Sequence, residues 1–286
     1  MHLRSVFWQL KHIFSRNLMR TSLLRSVLLL AVLLVGYSTI AAQPAPAQRS
    51  AAMAFSGETL TYEGKVSRLR IGVSVAEMTF KAEAPQDSDK LFIKTDAVSK
   101  GTLLKLFRFS FVQNYESAVD LANFRIIKTV KHDVQKERVR DSEALFDYGE
   151  KRVTWVETDP KDKNRPPRRI ASEIGQEMHD MVSAIYAVRL QPLVVGKRFD
   201  ISVSDSGLVY QVPVVVTGRE QQKTVLGKVW CFKIEPEIFG RGRLIEQKGK
   251  MVIWMTEDSR RVPVRSQIDS QYGKIDIKLK SVVSPK

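Results

Sequence analysis

The sequence predicts a mainly β protein: one large curled antiparallel sheet, a half-barrel or open barrel, carrying one packed α-helix and preceded by an N-terminal signal segment. Three observations lead there. Apolar and polar residues alternate with period two along most of the chain after Gly57, as they do when one face of a strand is dry and the other wet. Short turn-forming clusters such as EDSR at 257–260, SQYG at 270–273 and SDSG at 204–207 punctuate these segments. Only one stretch spaces its apolar residues at three and four, the helical repeat.

The elements follow in chain order. Residues 1–42 read as an export signal, with a long basic leader, an apolar run starting at Val27 and small residues before QPAPAQ. The run is shorter than the roughly 20 residues that span a bilayer, which favours removal; an uncleaved membrane anchor is the other reading, because basic flanks hold a helix to the cytoplasmic side. Residues 43–56, rich in Ala, Pro and Gln, form an expected flexible leader, and 57–286 a single β-rich domain.

Leu60, Tyr62 and Val66 mark the first strand, and the run from Ile71 to Phe80 changes phase near Val75 and Ala76, where a bulge is expected. Leu91 and Ile93 mark another. Residues 103–115 put Leu103, Phe107, Phe109, Phe111 and Tyr115 on one face, the largest apolar face in the chain. Strands are expected at 126–134, 144–148 and 153–157, then an exposed loop, DPKDKNRPPRR, at 159–169. Ile174, Met178, Met181, Val182 and Ile185 draw the stripe of a helix over 172–191, with Ser172 as its N-cap and Pro192 ending it. Strands resume at Phe199, Leu208 and Leu226, separated by turns at SDSG and TGREQQ (217–222). The chain closes with a three-stranded meander, in which Val262, Val264 and Ile268, then Ile275, Ile277 and Leu279, share the dry face. Pro213 and Pro263 interrupt strands and belong at an edge or a bulge, since proline donates nothing to a ladder.

Composition narrows the chemistry. The chain has 286 residues and a formal charge of +15; Arg4, Lys11, Arg16, Arg20 and Arg25 precede Gln43 with no acid among them, leaving 41 basic against 31 acidic residues in the remainder. A basic surface favours anionic partners through long-range attraction. One cysteine, Cys231, excludes an internal disulfide or a thiolate metal cluster, and its place among Trp230, Phe232 and Ile234 reads as packing. His132 and His179 lack partners at metal-ligand spacing, and no nucleophile elbow, dinucleotide fingerprint or phosphate loop occurs. No cofactor, metal or catalytic constellation is expected.

Two sets of residues are candidates for binding. Arg165, Arg168 and Arg169, with Arg241 and Arg243, could dock an anionic surface or be plain solvated loops. In KMVIWMT, Met251, Ile253 and Met255 alternate with Val252 and Trp254, so this strand is dry on both faces; one side packs on the helix and the other needs a second layer, a subunit or a ligand. Phe107, Phe109, Phe111, Tyr115, Trp230 and Trp254 are accordingly expected to line a hollow that takes an apolar molecule, the alternative being a fully packed interior.

The stretches DMVSAIYAVRLQPLVVGKRF (180–199), VTGRE (216–220), LGKVWCFKIEP (226–236) and MVIWMTEDSRRVPVRSQI (251–268), with GETLTYEGKVSRLRIG and FVQNYESAVD nearer the N-terminus, together resemble an exported bacterial family known as domain of unknown function 3108. The resemblance implies an envelope-facing β-rich fold and no reaction. More distantly, a strand ending in an acidic turn before R-x-P-V-R is similar to the half-barrel carriers of lipoproteins. The expected function is a non-enzymatic periplasmic or envelope protein binding a hydrophobic or amphiphilic ligand such as a lipid. A structural or assembly factor with an envelope protein partner is the alternative, and a hydrolase of envelope polymers the remaining class. Nucleic acid is not an expected partner, and membrane contact is expected only through the N-terminal segment or basic loops.

Overall fold

A computed structural model of the chain describes residues 46–68, 71–100, 110–270 and 273–284. Residues 44–286 make one compact unit. Its strands are β1 (Thr59–Arg68), β2 (Ile71–Glu83), β3 (Lys90–Ser99), β4 (Phe111–Asp120), β5 (Ile126–Gln135), β6 (Arg138–Asp147), β7 (Arg152–Thr158), β8 (Arg168–Glu173), β9 (Arg198–Asp205), β10 (Leu208–Thr224), β11 (Gly227–Pro236), β12 (Gly249–Thr256), β13 (Pro263–Ser270) and β14 (Gly273–Val283). Two helices accompany them, α1 (Pro46–Met53) and α2 (Ser183–Leu190).

All fourteen strands form one sheet in the order β8-β7-β6-β5-β4-β3-β2-β1-β14-β13-β12-β11-β10-β9. Every neighbour in that order is next in sequence except β1 and β14, which zip the first strand to the last through an antiparallel ladder from Thr59–Val283 to Ser67–Lys274. The sheet is thus a meander whose two halves are joined through the chain ends, and its open edges are β8 and β9. A twisted sheet of this width curls rather than staying flat. The edges approach without pairing: the β9–β10 hairpin, a two-residue loop with positive φ at both Ser206 and Gly207, puts Gly207 against Trp155 and Ile170, and Ser172 donates its hydroxyl to the Gly207 carbonyl at 2.7 Å. A Cβ at Gly207 would lie 2.8 Å from that of Trp155, so only glycine lets the strands come this close.

The bulge expected near Val75 is present: Gly64 pairs with Ala76 and Lys65 with Ser74, so Val75 is the extra residue. Pro263 also lies at a register shift, whereas Pro213 pairs with Asp200 inside the unshifted β9–β10 ladder, just past the Val214–Pro236 end of the β10–β11 ladder, and marks no bulge. Residues 103–110 were expected to extend the strand that holds Tyr115; residues 101–109, with Phe107 and Phe109, lie outside the described residues.

Four local expectations are corrected. Residues 46–53 are not a flexible leader but helix α1, with Ala52 fully buried and Phe55 packed edge-on against Tyr186 of α2. The helix is Ser183–Leu190, not 172–191: Ser172 belongs to β8, and Ile174 and Met178 are buried in irregular chain that runs beside β9, where His179 bridges Val203. Its cap is Asp180, whose carboxylate accepts from the Val182 and Ser183 N–H groups at 3.1 and 2.7 Å while the Ser183 hydroxyl accepts from the Asp180 N–H at 2.9 Å. TGREQQ is not a turn but continues β10 through a bulge at Thr217, and the reversal comes eight residues later at Val225 and Leu226. In β13 the bulge at Val264 reverses the pleat, so Val262 and Val264 leave the face that Ile268 shares with Met251 and Ile275.

Two apolar clusters result. The larger, on the inner face, joins Leu91, Ile93, Val119, Phe124, Ile126 and Val153 of one half to Ile201, Val214, Ile234, Ile253 and Met255 of the other through Met178, Tyr186 and Val188 of the helical segment. The smaller cluster contains Val252 and Trp254, which alternate with Ile253 and Met255 and so face away from α2. Its cover is the β10–β11 hairpin. β11 pairs with β12 over only four positions, Cys231–Thr256 to Ile234–Ile253, and beyond them Leu226 and Val229 pack on the second cluster. The doubly dry strand is thereby served by a helix on one side and a hairpin on the other.

Candidate functional site

The candidate site is the inner face of the curled sheet, which is apolar around α2 and polar toward the β4–β7 rim. Helix α2 crosses it with Tyr186, Ala187 and Val188 buried, leaving an open groove on each side. One groove, of about 150 Å³, is bounded by Leu60, Tyr62, Phe80, Ile277 and the flank of Tyr186. The other, of about 120 Å³, is bounded by Met181, Val188, Val203, Val214, Ile238 and Met255. Ile185, Met251 and Ile253 belong to both and form the ridge between them. Their walls are almost wholly hydrocarbon. An apolar cavity of about 150 Å³ holds a benzene-sized group, whereas drug-sized ligands need roughly 300 Å³ or more, so each groove has room for a narrow chain or a single ring and not for a drug-sized molecule.

The helix is fixed over this face by buried polar anchors at its two ends. Asp180 also accepts from the hydroxyls of Ser117 at 2.5 Å and Thr129 at 2.8 Å, which ties the start of α2 to β4 and β5. At the other end Arg189, 3% exposed, forks onto Glu58, 4% exposed, at 2.6 and 2.8 Å, donates to the Arg260 carbonyl and lies 4.3 Å above the Phe55 ring. The bidentate geometry satisfies a guanidinium that would otherwise be buried at high cost.

Toward the rim the same face becomes charged. Reading across β4, β5 and β6, the row Ser117–Thr129–Ala144 gives way to Tyr115–Lys131–Ser142 and then Gln113–Asp133–Arg140. Together with Glu157, Arg138 and the turn at Ser204–Ser206 they enclose a polar cleft of about 230 Å³. Lys131, Arg138 and Arg140 are matched there by Asp133, Glu157 and Asp205, so the cleft carries no net charge. Arg140 is held by Asp159 at 2.5 Å, and the Asp133 carboxylate accepts from Gln113 and Gln135. Burial, with Asp180 and Asp205 nearby, pushes the Tyr115 phenol well above its ordinary range, so it stays a hydrogen-bond donor.

Of the aromatic residues expected to line a hollow, Tyr115 alone borders one of these cavities among the described residues. Phe111 is half-buried at the start of β4 with its N–H on the Ser99 hydroxyl. Trp230 and Trp254 do not face the hollow. Trp254 faces away from α2, donating its indole N–H to Glu220 beneath the Arg265 guanidinium, and Trp230 is 43% exposed under Arg219. The reason is pleat parity: once Ile253 and Met255 face α2, Trp254 must face away. The basic residues are engaged locally, Arg165 with Asp159, Arg168 over the Trp155 ring and Arg243 with Glu237, while Arg169 and Arg241 are exposed. The groove residues Met251, Ile253 and Ile185 were legible as apolar positions; that they meet at one ridge was not.

Nothing in this geometry points to catalysis. No group of three His, Cys, Asp or Glu side chains among the described residues could hold a metal ion. Burial pushes the His179 imidazole down to about 4, which leaves it neutral but a weak base, and burial with Asp258, Glu220 and Glu257 nearby pushes the Cys231 thiol up to about 11, which keeps it protonated and unreactive at neutral pH. His132 is a surface residue paired with Asp141 at 2.5 Å. No helix among the described residues is long and apolar enough to cross a membrane.

Comparison with known proteins agrees with this architecture. No curated protein matches the sequence. A β-barrel-like protein from Brucella abortus, of domain of unknown function DUF1849, superposes with a TM-score of 0.51 at 11% identity, covering 80% of this chain and 98% of that one. At that identity the likeness shows the fold alone. An exported protein of Bacteroides fragilis with a YmcC-like fold aligns over 80% of this chain and 96% of its own at 9% identity, with a TM-score of 0.28. The family model for proteins of unknown function DUF3108 matches residues 59–280, and the chain therefore belongs to the DUF3108 family.

Proposed function

We propose that this chain is a non-enzymatic, exported protein of the cell envelope that holds a hydrophobic or amphiphilic molecule, one slender apolar chain at a time, in the grooves beside α2. The observation that carries the reading is the pair of hydrocarbon-walled grooves meeting at Ile185, Met251 and Ile253. Open apolar concavities of this kind mark ligand sites. Export is supported by the basic leader and the apolar run beginning at Val27.

The test is uptake. Protein recovered from the periplasm and weighed under native conditions should carry extra mass that organic solvent strips, and the stripped protein should take up a fluorescent fatty acid. Ile185→Trp, which fills the ridge common to both grooves, should abolish uptake while leaving the far-ultraviolet spectrum unchanged. Clean protein that takes up no apolar probe would overturn the reading.

A further inference from the structure

A cavity larger than either groove or the polar cleft lies on the other side of the sheet. Past its short ladder with β12, the β10–β11 hairpin swings over the outer face, and its tip, residues 222–225, faces β1, β13 and β14 across an open cleft of about 550 Å³. The walls hold Lys65, Lys223, Arg265, Lys278 and Lys280 against only two carboxylates, Glu63 and Asp276. Both carboxylates are already shared: Glu63 by Lys65 at 3.4 Å and Lys280 at 3.6 Å, Asp276 by Arg265 at 2.7 Å and Lys278 at 3.3 Å. Lys223 has no ion-pair partner among the described residues. Beyond the walls, Glu77, which pairs with Glu63 across the strands, is held by Lys100, and Glu220 accepts from Gln222 and from the Trp254 indole. Three positive charges are left uncompensated in one recess.

Val264 and Leu279 border that recess as buried residues, and Val225 stands 52% exposed at the hairpin tip beside Lys223. An exposed valine at the tip of a hairpin that faces a lysine-lined recess matches the boundary of an anionic bilayer, where the apolar part enters the headgroup layer and the ammonium groups meet phosphate. We infer that this cleft is a docking site for the phosphate headgroups of an anionic lipid bilayer, with the β10–β11 tip as the inserting element. The volume admits a headgroup with its glycerol rather than a bare ion. The inference does not depend on the grooves beside α2, which face the other way. It was hidden in the sequence because its cations are spread from position 65 to 280 and only strand register brings them together.

A polarity-sensitive fluorophore on Val225→Cys in the full chain tests it, since the buried Cys231 stays unlabelled and the signal reports the tip whatever the N-terminal segment does. Vesicles of phosphatidylglycerol should shift the emission and pure phosphatidylcholine vesicles should not. Replacing Lys223, Lys278 and Lys280 by Gln should weaken the response on the order of a hundredfold, at about fivefold per cation near such a surface. A charge-matched triple elsewhere, Lys94, Lys128 and Lys161 to Gln, should leave it within about twofold. A silent fluorophore, equal responses to both lipids, or equal losses in both triples would overturn the assignment. If millimolar inorganic phosphate at constant ionic strength erases the signal, the cleft takes soluble phosphate and the bilayer assignment is wrong.

Discussion

Replacing Arg189 by Met should cost far more than its single ion pair suggests. Both partners are buried, Arg189 at 3% and Glu58 at 4% exposure, and the bridge is bidentate at 2.6 and 2.8 Å. The substitution strands a carboxylate away from water, and breaking a buried pair on one side costs about 3–5 kcal/mol. In a folded unit of this size each kcal/mol moves the midpoint by roughly 2–4 °C, so thermal unfolding followed by circular dichroism should fall by on the order of 10 °C. The double variant Glu58→Met, Arg189→Met removes both charges and fills the space with hydrocarbon. It should recover to within about 2 kcal/mol of the parent, giving a favourable coupling in a double-mutant cycle. By contrast Lys94→Gln, which breaks a surface pair whose side chains are 60% and 41% exposed, should change stability by less than about 1 kcal/mol. A loss below about 1 kcal/mol for Arg189→Met, or a double variant no better than the single, would refute the view that this pair pins α2 to the start of β1.

Three further outcomes are expected. Asp180→Ala removes the acceptor for two backbone N–H groups and two buried hydroxyls, and urea titration should show a loss of about 3–5 kcal/mol. His179 stays neutral in the fold until about pH 4 but takes a proton near pH 6.5 when unfolded. The unfolded state therefore binds more protons between these values, and stability should fall by about 3 kcal/mol as pH drops from 6.5 to 4; His179→Leu should flatten that slope in urea midpoints measured across the window. With its thiol pushed up to about 11, Cys231 should resist a disulfide reagent at pH 8 in the native protein and react at once in denaturant.

Much of the architecture was legible because a strand writes its two environments into alternate residues. Leu60, Tyr62, Leu91 and Ile93 declared themselves in this way, as did the bulge at Val75, where the alternation slips by one. Turns were legible where the loop needs positive φ, as at Ser206 and Gly207, and illegible at 217–222, where polar residues on both faces of a hairpin arm look like a turn. The helix was overextended because Ile174 and Met178 happen to share its spacing while their burial comes from β9 and the inner cluster. β8 was missed because an edge strand bearing Arg168 and Arg169 has no alternation to show.

By itself, then, the sequence determined the local alphabet of this protein: which segments extend and which residue types alternate along them. Tertiary structure alone decided which dry face meets which. Pairing of β1 with β14 joins the two halves, the Val264 bulge turns two valines outward, α2 splits the hollow into two grooves, and the β10–β11 hairpin covers Trp254 while gathering five distant cations around a second cleft. The physical reason is that alternation along a strand fixes a side chain's face to within a sign, and only the register and curl of the whole sheet assign that sign to the inside or the outside.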